Sequence, residues 1–305
     1  MNLPNFLVIG AGKSGTTSLY EYLRQHPQIF MSPVKETNFF ALEGEDISPK
    51  HDPDQRFHYP WSVTNLSDYQ RLFEDAKDSQ AIGEISPMYL YSEKAARNIK
   101  HHIPDIKLIV ILRQPVDRLY SRFMHLTREQ RAPSKDFADS LDRSTIWWKR
   151  NDLVREGFYY SHLSHYFNLF SENQIKIVLY EDFNFNTQLV MHELFEFIGV
   201  DPSFEPKVGT TFNASGVIVN RRLDRLIGQN SILKKRINSI SPGLLKLITQ
   251  NATLKRLVTR FRNRNLYTPN LDLSLKSKIY SEIYQEDVNN LERLLKRNLG
   301  HWEPV

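Results

Sequence analysis

The stretch NFLVIGAGKSGTTSLYEYL at residues 5–23 runs from an apolar segment through a glycine-rich loop into a helical repeat without a break. That order constrains the fold more than any other feature of the chain. It asks for a buried strand and sets the amino end of a helix beside the strand's carboxyl end, where backbone N–H groups and the helix dipole favour an anion. Glycines at 10, 12 and 15 let the backbone approach such a group closely, and the N–H groups of residues 12–17 form the expected cradle for a phosphate. A triphosphate loop, G-x-x-x-x-G-K-[ST], carries its lysine after the second glycine. Here Gly10 and Gly15 have that separation and Thr16 and Thr17 follow, but the lysine, Lys13, lies between the glycines. The plain alternative is a tight turn with no ligand, although a turn alone requires neither a lysine nor three hydroxyls.

Four apolar, β-branched runs bounded by breakers predict buried strands at 6–10, 80–85, 107–113 and 175–180. Apolar residues at helical spacing predict helices over 16–25, 66–76, 93–102, 116–128, 160–171 and 187–198. Strands alternating with helices imply an α/β fold whose central parallel sheet is flanked by helices, with ligands gathering at the carboxyl ends of the strands. The glycine loop, Glu84 and Arg113 all fall at such ends. From about residue 203 no strand signal returns, and loops and helices run on through 294. The expectation is one domain over 1–305, an α/β core to about 200 and a helical cover over the sheet from 201. With 40% hydrophobic and 12% aromatic residues, 305 residues suffice for a packed core.

Several classes are disfavoured. There is no cysteine, so disulfides and thiolate metal sites are excluded, and the ten histidines show no ligand spacing, so no metal is expected. The first strand begins a few residues after Met1, and no run approaches the roughly 18 apolar residues of a membrane span; the expectation is a soluble, cytoplasmic protein. The net charge of +5 is uneven: from Arg221 to Arg264 lysines and arginines face a single acid, Asp224. Such a segment either attracts anionic polymers or a membrane surface, or is a solvated helical face. Within it ISPGLLKLITQNATLKRLVTRF reads as an interfacial helix or as one packed on its own domain.

A kinase would hold Mg²⁺ with an acid at the end of a neighbouring strand. The candidate strand, KLIVILRQP, ends instead in Arg113, which points to a nucleotide handled by Arg and Lys without metal. In RQPVDRLYSRFMH, proline opens a helix at its tolerated first turn, and Ser121 lies two turns along it. Arg113 and Ser121 are thus placed to converge on one phosphate monoester, which an arginine fork suits well.

Taken together, GxGKSGTTSL, the KET-x-FF element at 35–40, GEISPMYL at 83–90 and ILRxPxxRxxSxxxH at 111–125 resemble the sulfotransferases that use 3′-phosphoadenosine 5′-phosphosulfate, PAPS. The resemblance is strongest to the branch of heparan-sulfate-type carbohydrate enzymes and bacterial relatives. It extends through GFYYSHLSHYF, IKIVLYEDF, FNASG at 212–216 and the helical ending before GHWEP. The resemblance implies that Lys13 contacts the oxygen bridging phosphate and sulfate, and that Gly15, Thr16, Thr17 and Ser18, with Gly12 and Ser14 of the same loop, cradle the 5′-phosphosulfate. It implies that Arg113 and Ser121 bind the 3′-phosphate, that Glu36 is the general base, and that His125 stands near the acceptor. The chain departs from the branch in having Ile85 where a lysine often follows the strand glutamate, and in lacking a C-terminal cysteine pair. FNASGVIVNRR stands in place of a K-G-R cofactor loop, so Asn213, Ser215, Arg221 and Arg222 are expected to take over its nucleotide contacts.

The chemistry agrees with these assignments. Sulfuryl transfer, like phosphoryl transfer, builds negative charge on the leaving oxygen, where a lysine inside the loop contributes on the order of 3 kcal/mol. A carboxylate that takes the acceptor proton typically contributes ~10² to 10⁴ in rate. The expected activity is transfer of a sulfuryl group from PAPS to a hydroxyl of a carbohydrate or glycolipid. A metal-dependent small-molecule kinase and a non-catalytic polyanion-binding module remain as alternatives, and no nucleic-acid partner is expected. The acceptor is expected to meet the loops 41–65 and 128–157, whose Phe57, Tyr59, Trp61, Trp147 and Trp148 either stack on sugars or belong to the core.

Overall fold

In a computed structural model the described residues are 3–47, 61–76, 79–208, 216–220, 265–267 and 269–304. Strand β1, Phe6–Gly10, is apolar throughout and buried at every position, as a strand covered on both faces must be. It pairs in parallel with β3, Ala81–Ile85, on one side and β4, Lys107–Leu112, on the other. Strands β2, Ile29–Met31, and β5, Ile175–Leu179, complete a parallel sheet of order β2-β3-β1-β4-β5. The period of two divides each strand between two cores. Leu7 and Ile9 join Leu108, Val110 and Leu112 on one face, while Phe6 and Val8 join Ile109 and Ile111 on the other.

The helices supply the cover. On the Phe6 face lie α1, Thr16–Leu23, through Leu19 and Leu23, and α9, Thr187–Ile198, through Met191, Leu194 and Phe195. The Leu7 face is covered from α2 (Phe39–Leu42), α4 (Glu93–His102), α5 (Pro115–Arg128) and α7 (Tyr159–Leu169). Shorter helices are α3, Leu66–Arg71, α6, Ile146–Lys149, and α8, Tyr180–Phe185. Close approach of β1 to β3 depends on Gly83, opposite Phe6: a Cβ there would lie 2.1 Å from the Phe6 ring. Because β1 is central, the chain turns from it toward β3 and β2 on one side and β4 and β5 on the other, so the switch point, where ligands bind in such sheets, lies beyond its carboxyl end.

All four predicted strands and all six predicted helices form, with ends shifted by a few residues. The helix from Leu66 is the shortest against expectation, passing into turns after Arg71. The expectation that no strand follows residue 203 is corrected: β6, Val217–Ile218, and β7, Leu266–Tyr267, pair antiparallel. Two residues are too few to display an alternating pattern, and the three of β2 were missed for the same reason. After β7 come α10, Leu273–Ile279, and α11, Gln285–Leu295. Ile279, Tyr284, Val288, Leu291 and Trp302 enter the Leu7-face core, and Lys276 pairs with Asp117 of α5 at 2.8 Å. The basic segment 221–264, Phe57 and Tyr59 lie outside the described residues. Among the described residues no helix is long and apolar enough to cross a membrane.

Candidate active site

The loop after β1 has the backbone its glycines foreshadow. Gly15 is left-handed, with φ 92°, at the N-cap of α1, and having no side chain it offers no acceptor to the helix's first amides. A Cβ at Gly15 would also meet the Tyr180 ring at 3.2 Å. Leu19 N is the first amide to bond into the helix, to Gly15 O at 3.1 Å, so the N–H groups of Gly15 through Ser18 lie outside the helical ladder. Ser14 is fully buried, and among the described residues its Oγ has no hydrogen-bond partner. An uncapped helix end beside an orphaned buried hydroxyl fits a bound phosphate-type group. The expected cradle of residues 12–17 is narrowed: Gly12 N donates to Glu156 Oε1 at 2.6 Å and Ser14 N to Ala11 O at 3.3 Å, so neither amide is directed at a ligand.

Cations converge on this cradle. Lys13 is itself left-handed, with φ 68°, a conformation that costs a lysine energy and recurs at functional sites. Withdrawal from water, then the charges of Arg122, Arg128, Lys35 and Arg113, hold its ammonium down to about 7. Such crowding of like charge is what an anion would relieve. Arg113, just beyond β4, donates to Lys13 O at 3.3 Å and stacks its guanidinium 4.7 Å above the Tyr180 ring. The Arg113 carbonyl accepts from Tyr159 OH at 2.9 Å, so the residue is held at both ends. Ser121 is buried within α5, the helix that follows Arg113.

Glu36 reaches the same place from the other side. Lys35 Nζ donates to Thr17 Oγ1 of the loop at 2.8 Å and to Glu36 Oε1 at 3.2 Å, bridging the two elements. Glu36 and Asn38 are both left-handed, with φ 62° and 55°. The end of β3 holds this turn: Glu36 N donates to Ile85 O, Asn38 N to Ser86 Oγ, and Thr37 Oγ1 to the buried Glu84 carboxylate at 2.6 Å. Glu84 also accepts from Tyr89, Tyr69 and Ser86. Burial raises its carboxyl above the usual range, against these four hydroxyls, which lower it. Glu84 therefore serves the geometry of residues 36–38 from beneath.

Beside the loop opens a cavity of about 570 Å³ lined by Ala41, Leu42, Met88, Tyr91, Arg122, His125, Lys149 and Asp152 among others. Burial, then the charge of Lys13 and three arginines, lowers His125 to about 2, so its imidazole is neutral near pH 7. Arg128 donates to its Nδ1 at 2.9 Å, which leaves the proton on Nε2, 3.3 Å from Glu129 Oε1. Of the aromatic residues considered for sugar stacking, Trp147 is fully buried and donates to Ser134 Oγ, which places it in the core. Trp148 packs against Phe158, with Arg143 over its ring, while Trp61 is half exposed.

Thus Lys13, Thr17, Glu36, Arg113 and His125 come together at one end of the sheet. Asn213, Ser215, Arg221 and Arg222 lie outside the described residues. Sequence reasoning missed Lys35, Tyr180, Arg118 and Glu156. The first three stand inside quoted motifs, KET, IKIVLYEDF and RxPxxR, which were the available signal; Glu156 carried none.

The sequence profile described as the sulfotransferase family matches residues 4–206. The bifunctional heparan sulfate N-deacetylase/N-sulfotransferase 4 of Mus musculus is 28% identical over 70% of this chain and 24% of its own length. Carbohydrate sulfotransferase 15 of Mus musculus is 27% identical over 74% of this chain and 49% of its own. The chain therefore spans a quarter to a half of the length of these relatives. Among solved structures, a sulfotransferase from Alicyclobacillus acidocaldarius superposes with a TM-score of 0.70 at 25% identity, covering 99% of each chain.

Proposed function

The chain belongs to the sulfotransferase family, and on that premise we propose that it transfers a sulfuryl group from PAPS to a hydroxyl of a carbohydrate or glycolipid. The observation that carries the donor assignment is the convergence of Lys13, Lys35 and Arg113 on an uncapped helix end with an orphaned Ser14 hydroxyl. PAPS supplies the sulfuryl group and leaves as adenosine 3′,5′-bisphosphate, PAP. The amides of Gly15, Thr16, Thr17 and Ser18 and the Ser14 hydroxyl hold the 5′ end, and Arg113 with Ser121 holds the 3′-phosphate. Lys13 meets the charge that develops on the leaving oxygen. Glu36, oriented by Lys35, takes the proton of the acceptor hydroxyl as that oxygen bonds to sulfur.

The acceptor enters through the cavity, where neutral His125 is a hydrogen-bonding wall and not a proton carrier. The carbohydrate assignment draws on the relatives named for heparan sulfate and carbohydrate. The part from 201 to 305 is assigned as the nucleotide-covering loop and C-terminal helices of a single domain, a reading supported by β6 lying against α5, the helix of Ser121. A cytoplasmic location completes the reading. Its experiment is a screen with radiolabelled PAPS against glycans, glycolipids and phenols. Transfer to a glycan or glycolipid, abolished by Lys13→Ala, is expected; label moving only to phenols would overturn the acceptor assignment.

A further inference from the structure

The donor loop is fastened from below by a buried ion pair that the transfer chemistry does not use. Glu156 and Arg118 have side chains 1% and 0% exposed and meet at 2.9 Å through Arg118 Nη1 and Glu156 Oε2. The other carboxylate oxygen, Oε1, accepts the Gly12 N–H at 2.6 Å. Arg118 also donates to Leu153 O. One turn further along α5, Arg122 pairs with Asp152 at 2.7 Å, and both of these residues line the cavity. The segment around 152–156 is thus riveted twice to α5, and from it one carboxylate oxygen reaches the loop across 144 residues of sequence. Gly12 is shaped to this contact: a Cβ there would lie 2.8 Å from Glu156 Oε1. A carboxylate buried under an anion site is electrostatically costly; Arg118 offsets part of that cost while leaving Oε1 for the backbone, and burial still holds the Glu156 carboxyl above its usual range.

We propose that Glu156 is the positioning residue of the donor loop: by taking the Gly12 amide it sets the loop in the shape that presents Lys13 and the helix end to the donor. This rests on the PAPS reading above. Removing Glu156 alone would strand the Arg118 charge, so the comparison is made in a neutral background. Arg118→Met with Glu156→Gln keeps an oxygen for the Gly12 amide, whereas Arg118→Met with Glu156→Met does not. Binding of PAP is measured by calorimetry, with thermal melts of each variant alongside. The Gln variant is expected to bind PAP about tenfold or more tightly than the Met variant, since an orphaned buried amide no longer fixes the loop. Gly12→Ala, which displaces Glu156, is expected to weaken PAP binding in the otherwise unaltered protein, and by less when added to the Met variant because the contact is already gone. Equal PAP affinity in the Gln and Met variants, or unaltered affinity in Gly12→Ala, would overturn the proposal. Should the Met variant fail to fold, Gly12→Ala decides alone. Absence of PAP binding in the unaltered protein would instead overturn the donor assignment itself.

Discussion

At Lys13 the site stores both strain and charge. Its backbone is left-handed, and its ammonium is lowered to about 7 from an ordinary 10.5 because burial and four cations crowd one loop residue. The sign follows directly. Between about 7 and 10.5 the unfolded chain binds more protons at this residue than the folded one, so the ligand-free protein gains stability from it as pH rises through that window. Lys13→Met should flatten that part of a melting-temperature profile. Binding of an anion runs the other way, because it needs the ammonium. PAP affinity should hold below about pH 7 and fall above it, by up to about tenfold per pH unit while Lys13 is the titrating group, and Lys13→Arg should remove the decline. At Glu36 the expectation is a split: Glu36→Gln lowers turnover ~10²-fold or more and leaves PAP affinity near that of the unaltered protein. An equal loss in both would assign Glu36 to donor binding. The sequence singled out Lys13 and Glu36 because each stands in a short motif, and the structure brings them to the same end of the sheet. Lys35 was adjacent to Glu36 and still overlooked, because its role is a bridge to Thr17 made only in three dimensions.

The elements explain why the loop sits where it does. Strands β1 and β4 announced themselves because burial on both faces demands near-continuous apolar runs, β3 and β5 as short β-branched runs between breakers, and the helices because one apolar stripe per helix suffices. Strands β2, β6 and β7 escaped because two or three residues cannot show a period. Among the described glycines the tightest approach between elements is Gly83 against Phe6. Gly83→Ala forces the fully buried Phe6 ring out of place and should destabilise the fold by roughly 1–3 kcal/mol, read as a lower denaturation midpoint. A neutral result would mean that β1 and β3 can separate without cost. The anchor from Glu156 to Gly12 was not visible in sequence, since a lone acid in VREGF has no pattern that distinguishes it from a solvated charge.

At the scale of the molecule, the C-terminal helices are part of the main core. Leu291 of α11 is fully buried in the cluster that contains Leu7 and Leu108, so Leu291→Ala should cost about 2–5 kcal/mol and shift a single unfolding transition. Two separable transitions would make the C-terminal part an independent lobe. The same architecture brings Lys13, Thr17 and Arg113 to one end of the sheet, and the proposed donor rests on where the lysine stands in the loop. The most direct measurement is calorimetry of PAP against ADP, each with a chelator and then with Mg²⁺. The account predicts one PAP per chain bound without metal and lost in Lys13→Ala, with ADP much weaker under both conditions. Binding of ADP that depends on Mg²⁺ and exceeds that of PAP would contradict it.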